Sequence, residues 1–274
     1  MTDQNTSLRS PGAPDSGVKN SGVKNSGAKD SEAKGSGAKD IGNDGAAIGG
    51  ATEKAGTSTN EAENLPIMTD EKFAEAADVS RGTIERLQLM DAVLIDWCSR
   101  HNLIARSTID DRWRRHYLDS AQIISLLPEN ITHLADLGSG AGFPGLIIAA
   151  ALAEKDVPVT LIESTGKKAA FLTAAAEAMK LTNVCVLANR IESVSLNPRP
   201  DVVTARALAN LAKLSGYAHG IAAKNAKYFL PKGQYVEVEL TEAAKSWQMS
   251  VKKHPSVTSS DGVILEIEGL APNV

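Results

Sequence analysis

The sequence predicts an α/β protein in which a doubly wound, mainly parallel sheet follows a small helical cap and a disordered N-terminal extension. Three observations support this prediction. Short apolar segments alternate with helical ones after residue 130, a glycine-rich loop joins the first apolar segment to an apolar helix, and the first 64 residues lack the periodicity of a folded chain. The predicted boundaries are 1–64 for the extension, 65–130 for the cap and 131–274 for the sheet domain.

The extension is predicted from its low complexity. A pentapeptide recurs five times between Ser16 and Asp40, as SGVKN, SGVKN, SGAKD, SEAKG and SGAKD, and no aromatic residue occurs up to Asn64. Ordering the backbone costs about 1–2 kcal/mol per residue, and this segment has little apolar surface to offset that cost. The alternative is that its evenly spaced lysines bind a partner or RNA, although interleaved acidic residues cancel much of that charge.

The glycine-rich loop is the most informative feature of the chain. Residues 134–145, LADLGSGAGFPG, indicate a buried strand, a loop and the start of a helix. Alternating glycines permit sharp turns and let a ligand lie against bare main chain, as in nucleotide-cofactor loops. Asp136 stands at the strand end, where a carboxylate suits the cationic aminopropyl group of S-adenosylmethionine and repels a pyrophosphate. The loop, including Gly138 and Gly140, therefore favours a methyltransferase.

The same loop has other interpretations. Gly140, Gly142 and Gly145 match the G-x-G-x-x-G pattern of dinucleotide-binding proteins, although they begin two residues late and Pro144 precedes the last one. An NAD-linked oxidoreductase is therefore a second hypothesis. A glycine turn without a ligand and a ribosome-associated binding module with an inactive pocket are further alternatives.

Two helices are predicted in the cap. The first has Ser80 as its N-cap, carries apolar residues at helical spacing as far as Cys98 and ends near Asn102. The second is capped by Asp110 and ends before Pro128.

The sheet domain is predicted to have five parallel strands and a closing pair. The parallel strands are Leu134–Leu137, Val159–Ile162, Val184–Leu187, Val202–Ala205 and Tyr228–Leu230. Helices follow the first, second and fourth strands, and a helix over Val236–Met249 precedes the closing strands near Ser250–Lys253 and Val263–Ile267. Such a closing pair is typical of class I methyltransferases.

Strand ends supply further candidate ligand-binding residues. Glu163 ends the second strand, where a carboxylate accepts hydrogen bonds from ribose hydroxyls in either S-adenosylmethionine or NAD. Ile191 and Glu192 follow the third strand, where they meet an adenine, or Ile191 is a core residue. Arg206 ends the fourth strand and binds a carboxylate or phosphate, or forms a salt bridge to an acid such as Asp119 or Glu192.

A basic rim around the pocket is a candidate RNA contact, and the alternative is a solvated surface. Its predicted members are Lys167, Lys168, Arg190, Lys232, Arg112, Arg114, Arg115 and His116.

Several other chemistries are unsupported by the sequence. Cys98 and Cys185 lack metal-ligand spacing, no apolar stretch approaches the ~20 residues that cross a bilayer, and the net charge of −4 is not that of a generally basic nucleic-acid binder. We expect a cytoplasmic protein that is monomeric, binds no metal and has no role at a membrane. The fourth strand runs into TARAL (204–208), without the Asn-Pro-Pro-Tyr type of sequence that holds an exocyclic amine. No catalytic side chain is predicted, and guanine N7 is a nucleophile that needs none.

Several segments together resemble the bacterial 16S rRNA guanine-N7 methyltransferase family, RsmG, also called glucose-inhibited division protein B. They are DLGSGAGFPG (136–145), LIESTGKK (161–168), NRIE (189–192), ARA (205–207), HNL (101–103) and RHYLDS (115–120). The repeats of the extension and Pro231-Lys232-Gly233 depart from the family pattern.

The resemblance implies a class I fold that methylates N7 of guanine 527, in the family's naming, during ribosome biogenesis. Its cofactor would be S-adenosylmethionine, and its partner 16S rRNA or the small ribosomal subunit. Family cofactor contacts fall on Gly138, Phe143, Glu163, Ser164, Ile191, Glu192 and Arg206.

Overall fold

The computed structural model describes residues 65–273, so the predicted extension, 1–64, lies outside the described residues. The described cap and sheet residues belong to one compact unit. The predicted domain boundary at residue 130 stays a prediction.

The described strands form a single mixed sheet in the order β3-β2-β1-β4-β5-β7-β6. Strands β1 to β5 are parallel, and β7 is antiparallel to both β5 and β6. Their bounds are β1 Leu134–Leu137, β2 Val159–Ile162, β3 Val184–Leu187, β4 Val202–Thr204, β5 Lys227–Lys232, β6 Trp247–Pro255 and β7 Val263–Pro272. The predicted parallel sheet with an antiparallel closing pair is confirmed.

Helices cover both faces of this sheet. They are α1 Asp70–Ala76, α2 Arg81–Cys98, α3 Asp119–Ala121, α4 Gly145–Leu152, α5 Gly166–Ala178, α6 Leu211–Ile221 and α7 Val236–Ala243. One apolar core lies between the sheet and the cap with α4 and α5, and the other lies on the α6 and α7 side. Side chains alternate along a strand, so Leu134 enters the first core while Ala135 and Leu137 enter the second.

The last helix is shorter than predicted. Helix α7 ends at Ala243 and β6 begins at Trp247, whereas the prediction extended the helix to Met249. Trp247, Met249 and Val251 are half-buried at every second position, which is the period of a strand. That alternation begins within the predicted helix and explains the error.

The first cap helix begins as predicted, because the Ser80 hydroxyl accepts a hydrogen bond from the Thr83 amide at 3.2 Å. It ends at Cys98 and not near Asn102. The prediction of a second regular helix, from Asp110 to Pro128, is wrong.

In its place lie a π-helical segment, Trp113–Leu118, then α3 and a 3₁₀ turn at Ile124–Leu126. Asp110 does not cap it. The wider π-helical turn stacks Trp113 on Tyr117 with ring centroids 4.1 Å apart. Both rings are thereby buried in the first core.

An ion pair joins α2 to the π-helical segment. Asp91 accepts hydrogen bonds from Arg112 Nε at 2.6 Å and Nη2 at 2.7 Å, with the two side chains only 14% and 22% exposed. A bidentate pair at this burial holds the cap more strongly than a surface pair does.

We predict that Asp91→Ala lowers the free energy of unfolding by about 2 kcal/mol, because it leaves a half-buried guanidinium without its partner. Glu85→Ala is the control, since Glu85 pairs with Arg81 on the exposed face of α2 and should cost less than about 0.5 kcal/mol. Urea unfolding measures both variants. Equal losses would show that the buried pair adds nothing to cap stability.

Candidate active site

Two adjacent cavities open at the carboxyl ends of the parallel strands. The smaller one, about 280 Å³, is lined by the segments that follow β1, β2, β3 and β4. Ligands of open α/β sheets bind at this edge. Of the predicted cofactor residues, six line it: Gly138, Gly140, Glu163, Ser164, Ile191 and Glu192.

Gly138 is required where the β1 loop meets the β4 loop. Its φ is +67°, and a Cβ at this position would lie 2.5 Å from Leu208 Cδ1. Both the backbone conformation and the close approach exclude larger residues. The two loops therefore share one wall of the smaller cavity.

Glu163 combines a structural role with spare hydrogen-bonding capacity. Its Oε2 accepts from the Gly140 amide at 2.9 Å and its Oε1 accepts from the Thr165 amide at 2.7 Å. A carboxylate has about four acceptor positions, so two remain for hydroxyl donors. This buried group thus fixes the glycine loop and suits a ribose.

Asp136 lies beneath the glycine loop and does not line either cavity described here. Its side chain lies on the same face of the sheet as that of Leu134, two residues earlier, and is directed toward the start of α4. It is 1% exposed. The Oδ1 atom accepts from Thr204 Oγ1 at 2.7 Å, whereas Oδ2 has no hydrogen-bond partner among the described residues. Burial raises the pKa of this carboxyl to about 6.

The buried Asp136 carboxyl suits a cationic ligand through its charge and without direct contact, because a nearby positive charge would stabilise the ionised carboxylate. The residues present therefore fit S-adenosylmethionine, which carries a sulfonium and an ammonium group. They include the glycine cradle and the spare acceptors of Glu163.

Phe143 and Arg206 lie at the junction with the cap and do not line the smaller cavity. The Phe143 ring is buried against His116 and Tyr117, with both centroid distances 5.1 Å, and the Arg206 guanidinium lies 5.3 Å from its centroid. Arg206 forms a 3.1 Å salt bridge with Asp119, one of the two alternatives predicted for it.

His116 is not the cation that the predicted basic rim requires. Burial, with Arg206 and Arg115 nearby, lowers its pKa to about 4. Its Nδ1 lies 3.1 Å from Arg206 Nη2, which only donates, so Nδ1 accepts and the protonated Nε2 faces Thr108 Oγ1 at 2.8 Å. The neutral ring orients Arg206.

The basic rim is smaller than predicted. Arg112, Arg114 and Lys232 are engaged in ion pairs with acidic side chains. Lys167 and Arg190 are exposed, and Lys168 and Arg190 line the smaller cavity.

The larger cavity, about 580 Å³, lies between the β4 loop, the end of β5, the β6–β7 connection and the cap. It shares Ala207 and Leu208 with the smaller cavity and is also lined by Arg206. Sequence reasoning missed its acceptor Glu239 and the bonds from Asp119 and Gln122 to the β6–β7 connection. These groups are far apart in sequence, so no local pattern reveals them.

Comparison with known proteins identifies the family. The family model "GidB: rRNA small subunit methyltransferase G" matches residues 83–267. The chain belongs to this family. Ribosomal RNA small subunit methyltransferase G of Rhodospirillum rubrum is 48% identical over 204 residues, which cover 73% of this chain and 97% of that protein. The protein of the same name from Rhodospirillum centenum is 45% identical, with 76% of this chain and 94% of that protein covered.

Among solved structures, a SAM-dependent methyltransferase from Aquifex aeolicus superposes with a TM-score of 0.44 at 15% identity, covering 57% of this chain and 91% of that one. This likeness is too low to add to the family assignment. Because the chain belongs to the rRNA small subunit methyltransferase G family, the alternative hypothesis of an NAD-linked oxidoreductase is excluded.

Residues 65–273 contain no group of three or more His, Cys, Asp or Glu side chains placed to hold a metal ion. Within the same range, none of the helices has the length and apolar character needed to span a membrane.

The raised pKa of Asp136 predicts how cofactor binding depends on pH. Because the carboxyl is largely protonated below its pKa of about 6, binding of a cation there must release a proton, and affinity should rise between about pH 5 and about pH 7. Asp136→Asn should bind S-adenosylmethionine more weakly, with no rise over this range. Calorimetric titration across that range measures both.

Glu177→Gln is the control for this titration, because Glu177 is exposed on α5 away from the cavities. It should retain the wild-type pH dependence. A rise of equal size in Asp136→Asn would contradict the assignment of the titrating group.

Proposed function

We propose that the protein transfers the methyl group of S-adenosylmethionine to N7 of a guanine in 16S rRNA, the nucleotide named guanine 527 in the family. The substrate is the rRNA itself or the small ribosomal subunit. The observation that supports this most is the pair of cavities that share Ala207 and Leu208, since transfer requires two ligands side by side. A cytoplasmic location and a monomeric state stay predictions.

The smaller cavity suits the cofactor. Glu163 offers acceptors for ribose hydroxyls, and the segment around Ile191 and Glu192 lies where the third strand places an adenine contact. Asp136 acts from beneath the loop through its charge. When bound, S-adenosylmethionine supplies an electrophilic methyl group on a positively charged sulfur.

The larger cavity suits the guanine, and none of its side chains needs to remove a proton. Guanine N7 has an in-plane lone pair and bears no hydrogen, so alignment of the two ligands suffices. Favourable orientation alone lowers a barrier by about 7–11 kcal/mol.

Charge in the larger cavity is balanced. Methylation of N7 leaves the purine positively charged, and the carboxylates of Asp119 and Glu239 line the cavity. Each acid is paired with a cation of the same lining, Asp119 with Arg206 and Glu239 with Lys232, so the cavity wall carries little net charge and the product cation meets no uncompensated positive side chain there.

Contacts to the RNA backbone come from a few exposed cations. Arg190 is exposed and lines the smaller cavity, Lys167 is exposed in the first turn of α5, and neither forms a salt bridge within residues 65–273. Phosphates are the natural partners of such side chains.

The first experiment is methyl transfer from labelled S-adenosylmethionine to small subunits that lack the modification. We expect one label per subunit, which maps to guanine N7 by reduction and chain cleavage at the modified nucleotide. Glu163→Ala should lose transfer, because it removes the ribose acceptors and the bond to Gly140.

Unmodified 16S rRNA serves as the second substrate and distinguishes free RNA from the assembled subunit. Cofactor binding without transfer to either substrate, or label at another atom, would contradict the proposed function.

A further inference from the structure

We propose that Glu239 is the residue that selects guanine, by accepting hydrogen bonds from the N1–H and 2-amino groups of the target base. The inference deepens the proposed function and rests on it. It assigns a specificity-determining role to a side chain on α7 that none of the sequence motifs contains.

The larger cavity has the size and position for an extruded nucleotide. Its volume of about 580 Å³ lies within the range of about 300–1,000 Å³ that is usual for small-molecule sites. Enzymes that modify a base take it out of the stack and identify it through its Watson–Crick edge. Such an edge needs acceptors on the protein if the base is guanine.

Two carboxylates line this cavity, and only one has a free oxygen. Asp119 accepts from Arg206 Nη1 at 3.1 Å through Oδ2, and from Thr258 Oγ1 at 2.7 Å and Gln122 Nε2 at 3.1 Å through Oδ1. Both of its oxygens therefore already hold the cap against the β4 loop and the β6–β7 connection, and three of its about four acceptor positions are used. It is a poor candidate for base recognition.

Glu239 has the opposite arrangement. Its Oε2 accepts from Lys232 Nζ and from the Leu211 amide, both at 2.7 Å, whereas Oε1 has no hydrogen-bond partner within residues 65–273. Lys232 also donates to the Ala209 carbonyl at 3.2 Å and its side chain is 9% exposed. These contacts fix the carboxylate of a side chain that lines the cavity and leave Oε1 available as an acceptor.

A carboxylate oxygen at this position discriminates among bases. Guanine presents two donors, N1–H and the 2-amino group, on its Watson–Crick edge, whereas adenine presents an unprotonated N1 that a carboxylate repels. N7 lies on the five-membered ring, on the Hoogsteen edge and away from the N1–H and 2-amino groups. Binding of the Watson–Crick edge by Glu239 therefore leaves N7 free to face Leu208, which lines both cavities.

The test compares guanine with inosine, which lacks only the 2-amino group. Small subunits are reconstituted with 16S rRNA that carries either base at the target position. For the wild type, loss of a charge-assisted hydrogen bond should lower kcat/KM for inosine by about 10- to 100-fold. Filter binding in the presence of S-adenosylhomocysteine should show that the protein also has a lower affinity for the inosine-containing subunit than for the guanine-containing one.

Glu239→Met should remove this discrimination. It keeps the side-chain length but has no strong acceptor, so guanine and inosine should be methylated with kcat/KM values within about threefold of each other. Because the two substrates are compared on one variant, a general loss of activity cancels. Should this variant be unstable, Lys232→Met/Glu239→Met removes both members of the ion pair and avoids leaving a buried lysine unpaired.

Glu242→Met is the matched control, since Glu242 is exposed one turn along α7 and pairs with Lys245. It should keep the wild-type preference for guanine. A wild-type penalty that survives in Glu239→Met, or an equal wild-type rate on inosine, would overturn the inference. Failure of the wild type to methylate guanine would instead contradict the proposed function.

Discussion

The close approach of the β1 and β4 loops is the constraint on which the rest of the site depends. Leu208 occupies the space where any other residue than Gly138 would place a Cβ. Strands β1 and β4 are neighbours in the sheet, so this contact closes the point at which the strand order reverses. One loop pair thereby forms a wall of both cavities and sets two ligands beside each other.

The cap contributes to the same junction through a polar chain. A chain of hydrogen bonds joins the cap, the β4 loop and the β6–β7 connection. It runs through Thr108, neutral His116, Arg206, Asp119 and Thr258. Because each donor in this chain has an acceptor, Arg206 is held in place before any ligand arrives. The cap is thus part of the wall of the larger cavity and not only a cover for the sheet.

Much of the fold follows from local sequence patterns. The alternation of apolar strands with helices predicts the five parallel strands, and the glycine loop predicts the edge at which ligands bind. The π-helical segment and the early end of α7 were not predicted, because tertiary packing of Trp113, Tyr117 and Trp247 overrides the helical period.

The site was predictable only in part. Residues at strand ends, such as Glu163 and Ile191, reach the smaller cavity because parallel strands end at one edge. The direction of the Asp136 side chain follows from the strand period, which puts it on the same face as Leu134. That one of its oxygens lacks a partner depends on the packing of α4. Glu239 joins the larger cavity through tertiary contacts to Lys232 and Leu211, which no spacing in the sequence encodes.

The central claim is that the two cavities hold the cofactor and the target guanine at once. The most direct measurement is a cryo-electron microscopy structure of the protein with sinefungin on a small subunit that lacks the modification. The account predicts the guanine in the larger cavity, with N7 about 3–3.5 Å from the position of the transferable group. A guanine that stays stacked in the rRNA, or enters elsewhere, would contradict it.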